Sequence, residues 1–164
     1  MKKYNNGQFN IEDVGKTIEL YGWVQKKRNL GGLVFIDLRD RSGIIQVVVT
    51  PENECYDLAS SLKSESVISV TGTINERESK NLKLKTGDIE VLVDKLELIN
   101  PSIDIPFEIS DDITALEDTR LKYRYLDIRR DMIKNNLILR HNVTMITRNF
   151  LSKNGFIEVE TPIL

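Results

Sequence analysis

Five alternating runs with one helical segment after the third leave this chain few ways to fold. Thr17 to Gln25 sets Ile18, Leu20, Gly22 and Val24 against Glu19, Tyr21, Trp23 and Gln25. A glycine inside such a run predicts a bulge or sharp coil, which lets one strand serve two sheet faces. Leu33 to Arg39 is the second strand, and Asp40-Arg41-Ser42-Gly43 is a short hairpin connection into a third at Ile44 to Thr50. Pro51 then opens a helix expected over Glu52 to Ser64, with Leu58 and Leu62 as its apolar stripe. Alternation returns in Ser66 to Asn75, broken at Gly72, and again in Asp88 to Ile99.

Three strands, a helix and two further strands, with a long glycine-kinked first strand, is the order of a five-stranded OB-fold Greek-key barrel. The outer faces of its second and third strands bind oligonucleotides. Strand parity identifies what this chain places there. In the second strand Val34, Ile36 and Leu38 are uniformly apolar and must face the core, leaving Phe35 outside beside Asp37 and Arg39. In the third, Ile45, Val47 and Val49 face inward and Gln46 points out beside Phe35. An aromatic ring with Lys26, Lys27 and Arg28 just upstream, across the Asn29-Leu30-Gly31-Gly32 turn, has the outline of a base-stacking platform. The amide of Gln46 suits a base edge.

Composition narrows the classes further. At 40% hydrophobic and 29% charged the chain is an ordinary globular sequence. A net charge of −2 argues against non-specific polyanion binding, so a nucleic-acid contact has to come from local clustering, such as the six cations against three anions between Lys16 and Arg41. The single cysteine, Cys55, excludes an internal disulfide and a cysteine-based zinc site, and fits a reducing cytoplasm. Met1 to Asn10 has no apolar signal-like core, and no apolar run approaches a membrane span. After Pro101 the periodicity lapses into a linker or hinge, expected over residues 101–136. An amphipathic helix follows, its face formed by Leu139, Val143, Ile146 and Phe150 and its end capped at Asn154-Gly155, and then a strand from Phe156 to Pro162.

Several of these stretches carry a family resemblance. Gly155-Phe156-Ile157-Glu158-Val159-Glu160-Thr161-Pro162-Ile163-Leu164 after an amphipathic helix resembles motif 1 of class II aminoacyl-tRNA synthetases, and a preceding OB-fold resembles subclass IIb. Tyr21-Gly22-Trp23-Val24 through Phe35-Ile36-Asp37-Leu38-Arg39-Asp40-Arg41, then Gly43-Ile44-Ile45-Gln46-Val47, and Arg120 through Arg130 are together similar to bacterial-type aspartyl-tRNA synthetases. The resemblance implies an anticodon-binding domain over residues 1–100 and the truncated start of a class II α/β catalytic domain over 137–164. It implies that Phe35 stacks on the central uridine of the anticodon and that Gln46 and Arg28 hydrogen-bond around it. For Arg28 the parity argument is silent, because alternation gives out before it. Arg77, Asn81 and Glu90 are the implied contacts for the outer anticodon bases, and Phe156 and Pro162 lie where a family member meets its second subunit.

The resemblance further implies a cytoplasmic, homodimeric parent enzyme that uses ATP and magnesium to attach aspartate to its tRNA. Motifs 2 and 3 are not in these 164 residues. The chain offers no substitute for them: no glycine-rich phosphate loop, no nucleophile–base pair and a lone histidine, His141, on the polar flank of the last helix. No catalytic residue, metal ligand or cofactor of its own is expected, nor a membrane or DNA partner. The expected function is therefore recognition of the tRNA-Asp anticodon. The alternatives are a stand-alone OB-fold that binds single-stranded nucleic acid, or the same module from an asparaginyl- or lysyl-tRNA synthetase.

Overall fold

The structure, a computed structural model, describes residues 4–162. The chain divides into two compact units, one ending at Ile105 and the other starting at Pro106.

The first unit is a closed barrel of five strands, β1 (Thr17–Leu30), β2 (Leu33–Arg39), β3 (Ile44–Val49), β4 (Val67–Glu76) and β5 (Ile89–Asn100). Their order around the barrel is β1-β2-β3-β5-β4, and β3–β5 is the parallel pair that closes it. Inward parity holds as expected: Val34, Ile36, Leu38, Ile45, Val47 and Val49 are all fully buried. They meet Leu20, Val24, Ile68, Val70, Ile74, Ile89 and Val91 from the other strands in one apolar core. The β1–β2 hairpin turns on Gly31 and Gly32, with φ of +59° and +82°, between the paired Leu30 and Leu33. Two consecutive positive φ values define the primed hairpin turn that matches strand twist, and glycine adopts them without strain.

β1 does serve two neighbours, pairing with β4 through Thr17–Trp23 and with β2 through Trp23–Leu30. The expected bulge at Gly22, however, lies three residues later. Val24 faces Leu38 and Lys26 faces Asp37, so Gln25 is the extra residue. Gly22 is required for another reason: a Cβ there would lie 2.5 Å from the carbonyl oxygen of Arg39. Gly72 does not break β4 either. It pairs with Val93 across from a bulge in β5, and a Cβ on it would lie 2.2 Å from the carbonyl oxygen of Leu92.

The helix expected over Glu52 to Ser64 forms only as α1 (Tyr56–Ser61). The Asn53 side chain accepts from Cys55 N at 2.8 Å and donates to the Val93 carbonyl at 2.7 Å, which holds the preceding residues in a turn. After Leu62 the chain turns through Glu65, a non-glycine residue with φ of +67°, whose carboxylate is clamped by both bonds from Arg39 at 2.8 Å. The Asp40–Gly43 connection is locked by the Asp40 carboxylate, which accepts from Ser42 N, Gly43 N and Asn6 N.

In the second unit, the stretch read as a linker carries α2 (Glu117–Lys122) and α3 (Arg124–Asp127), ahead of the long α4 (Asp131–Lys153). Asp127, 1% exposed in its side chain, accepts from Arg124 and Arg130. Asp111 accepts from Met132 N at 3.1 Å, satisfying one of the open amides in the first turn of α4. α4 ends at Asn154, with Gly155 in the left-handed region as expected. Its Leu139, Val143, Ile146 and Phe150 are exposed, as are His141, Phe156 and Pro162. The strand expected from Phe156 to Pro162 does not form among the described residues, and Ile163 and Leu164 lie outside them. A strand needs a partner's N–H and C=O groups, and here none is registered; Glu158 instead ties back to Arg148 at 2.9 Å.

Candidate nucleic-acid interface

The bulge at Gln25 decides which cations reach the outer face of the barrel. Strict alternation from Val24 would turn Lys26 and Arg28 inward. One extra residue reverses the phase, so Lys26 lies directly across from Asp37 and Arg28 directly across from Phe35. Lys27, paired with Ile36, takes the opposite side and donates to the Ser60 carbonyl in the last turn of α1. The three cations read as one cluster in the sequence are thus divided.

Register across the strands arranges the outer face in two neighbouring rows. One runs through Arg28, Phe35, Val48, Leu92 and Thr73. The other runs through Lys26, Asp37, Gln46, Glu90 and Asn75. The first is the apolar row, with Phe35 half-buried beside Val48 and partly open to solvent. The second is polar, and it is bonded across three strands.

Gln46 is the hub of the polar row. Its Oε1 accepts from Arg77 Nη2 at 3.0 Å and Arg28 Nη2 at 3.3 Å, while its Nε2 donates to Glu90 at 2.7 Å. Facing two guanidiniums with oxygen and a carboxylate with nitrogen is the amide orientation the network permits. Gln46 is therefore outward, as parity predicts, yet only 4% exposed. Its acceptor is saturated and one N–H remains. Arg28 also donates to Asp37 Oδ1 at 2.7 Å. Burial pushes the Asp37 carboxyl above its ordinary value of 3.8, against the pull of Arg28, Arg77 and Lys26.

Five of the residues singled out in the sequence, Arg28, Phe35, Gln46, Arg77 and Glu90, share this face. Asn81 does not join the network: it is half-buried in the β4–β5 loop, where its Oδ1 accepts from Lys83 N at 3.1 Å. Phe156 and Pro162 belong to the other unit. Asp37 is the residue whose part in the network sequence reasoning missed. Parity placed it on the right face, but nothing local signals that its partner is nine residues back beyond a bulge. Among the described residues no group of three or more His, Cys, Asp or Glu side chains converges to hold a metal.

A partly open aromatic ring set in a bonded field of donors and acceptors, on the second and third strands of a closed five-stranded Greek-key barrel, is the architecture of an OB-fold module, whose outer face there is the oligonucleotide-binding one. The chain belongs to the OB-fold nucleic acid binding domain family, whose profile matches residues 18–99. The class II tRNA synthetase family (D, K and N) matches residues 116–164.

Among curated proteins, the chain is 51% identical over 162 residues to the aspartate–tRNA(Asp/Asn) ligase of Aquifex aeolicus, covering 96% of this chain and 27% of that protein. It is also 51% identical over 160 residues to the aspartate–tRNA ligase of Bacteroides thetaiotaomicron, again covering 96% of this chain and 27% of the relative. The chain thus spans about a quarter of the length of the relatives it matches. The asparaginyl-tRNA synthetase of Pyrococcus horikoshii, solved with asparaginyl-adenylate, superposes with a TM-score of 0.79 at 32% identity, covering 93% of this chain and 34% of that one. The aspartyl-tRNA synthetase of Entamoeba histolytica superposes with a TM-score of 0.89 at 21% identity, covering 98% and 39%, and so shares the fold. The resemblance to aspartyl-tRNA synthetases read from the sequence is borne out by these relatives.

Proposed function

We propose that this chain is the anticodon-reading N-terminal part of an aspartate–tRNA ligase. The observation that carries the reading is Phe35, which lies on the outer face of the barrel between Arg28 and Val48, beside the bonded network of Asp37, Arg28, Gln46 and Glu90. Phe35 stacks on the central uridine, and Arg28 and Gln46 donate around that base. Arg77 and Glu90, bonded to Gln46 from the far side, reach the flanking bases, and Asn81 shapes the loop that approaches them.

Aspartate activation with ATP and magnesium, and its transfer to tRNA-Asp, belong to the remainder of such a ligase; the chain by itself is inactive. The domains run over 1–100 for the anticodon module, 101–136 for the hinge and 137–164 for the start of the catalytic domain. In the whole enzyme, a cytoplasmic homodimer, the exposed face of α4 together with Phe156 and Pro162 packs against the second subunit. A stand-alone single-strand binder is disfavoured, because similarity to the ligases runs on through the second unit.

A titration of this chain against anticodon stem-loops reading GUC, GUU and UUU, and a control lacking the central uridine, tests the reading at one salt concentration. Preference for GUC with loss of binding in the control is expected, as is a loss of about 1–3 kcal/mol for Phe35→Ala. Equal weak binding to all four loops, unchanged by Phe35→Ala, would refute it.

A further inference from the structure

Trp23 pairs with Arg39 at one end of the β1–β2 ladder and Leu30 with Leu33 at the other, but six residues of β1 lie between those pairs against five of β2. One bulge is therefore compulsory, and only its place is free. At Gln25 it sets Arg28 across from Phe35; nearer the hairpin tip it would set Lys27 there and turn Lys26 and Arg28 toward the barrel interior.

The bonds that flank the bulge all come from one short segment, Ser60 to Ser66, between the end of α1 and the start of β4. Ahead of it, Val24 N donates to the Ser66 carbonyl at 2.9 Å and Glu65 N to the Val24 carbonyl at 2.7 Å. Beyond it, Lys27 Nζ donates to the Ser60 carbonyl. Both oxygens of the Glu65 carboxylate accept from Arg39 Nη2 at 2.8 Å, in a pair whose side chains are 7% and 15% exposed, and Arg39 is the cross-strand partner of Trp23. Glu65 holds this place with φ of +67°, a left-handed conformation that a glutamate keeps only under strain and only where its surroundings impose it.

We propose that Glu65 is a positioning residue for anticodon recognition: with Arg39 it pins the bulge at Gln25 and so places Arg28 across from Phe35. The carboxylate acts through the backbone. With the clamp closed, Trp23 and Val24 are held between β2 and the turn, and the extra residue has to fall after Val24. With the clamp open, the bulge is free to move toward the hairpin tip. The inference rests on the proposed reading of an anticodon by Phe35 and Arg28. Plain electrostatics predicts the opposite role for Glu65, since an anion on a chain that binds a polyanion weakens binding.

Glu65→Gly separates the two, because glycine takes the left-handed turn without strain and the carboxylate alone is lost. The test titrates the 164-residue chain and this variant with the GUC stem-loop at one salt concentration, and follows amide exchange in both proteins. Leu30 and Leu33 flank a two-residue turn and share both of their ladder bonds, so by alternation Arg28 and Phe35 do too, and their amides report the pairing. The variant is expected to bind roughly tenfold more weakly, the scale of a coupling carried by a shared backbone shift, and to exchange faster at Arg28 and Phe35 by a similar factor. Affinity that is unchanged or raised in a folded variant overturns the proposal, as does weaker affinity with exchange at Arg28 and Phe35 unchanged.

The unaltered chain supplies a test that needs no variant. The amides of Val24, Glu65, Arg28 and Phe35 are expected to open as one unit. Exchange at Val24 and Glu65 far ahead of a still-protected Arg28 and Phe35 would overturn the proposal. Failure of the unaltered chain to bind the loop would instead bring down the anticodon reading itself, and the recognition role of Glu65 with it.

Discussion

Asp37 is an expensive residue to keep on a face meant for a polyanion. Its carboxyl is raised by burial above 3.8, so the folded chain holds this proton more tightly than the unfolded chain does. The sign of the linkage follows: from the ordinary value up to the raised one, stability declines as pH rises, and above that interval the ionised group is a standing cost offset in part by Arg28. Urea unfolding across that interval should show the unaltered protein losing ground to Asp37→Asn as pH increases. A protein that gained on the variant instead would mean that the ion pair with Arg28 outweighs burial. Gln46 shows a related economy: a side chain that parity marks as a free base reader is mostly a bracket holding two guanidiniums in register.

The strands were legible in the sequence wherever a single face was buried. β2 begins and ends at the residues its alternation picks out, and the inward sets of β2 and β3 are fully buried as parity requires. The misreadings share one cause, dependence on a partner distant in the chain. The bulge at Gln25 leaves no residue signature, because it is set by how β1 passes from β4 to β2. The expected strand at Phe156–Pro162 has the right pattern but no pairing partner among the described residues. Gly22 and Gly72 interrupt the alternation for a reason the sequence does not carry: they permit close backbone approach rather than a break. Gly72→Ala must therefore move the Leu92 backbone, and is expected to cost about 1–3 kcal/mol or more of stability in urea unfolding. Because Leu92 continues the row of Phe35, stem-loop affinity should fall with it. A variant as stable as the parent would show that β4 and β5 have slack at this point.

Taken whole, the molecule is nearly neutral, with a net charge of −2, and the cations near its reading face are few: Lys26, Arg28 and Arg77 against Asp37 and Glu90. Binding should be only mildly salt-dependent. If two phosphates are neutralised, the logarithmic slope is about −1.4, or roughly a sevenfold loss of affinity between about 50 and 200 mM salt. A much steeper slope would place the contact on a different, more basic surface. The bond between Gln46 and Glu90 spans 44 positions of sequence and crosses the parallel seam that closes the barrel. Such distant pairings form slowly, because the intervening chain must first be ordered. A chain with its hairpins formed but its seam open would have no assembled face with which to engage RNA. Recognition is thereby reserved for molecules that have finished folding, and a bound anticodon, by favouring the closed seam, would hold them there.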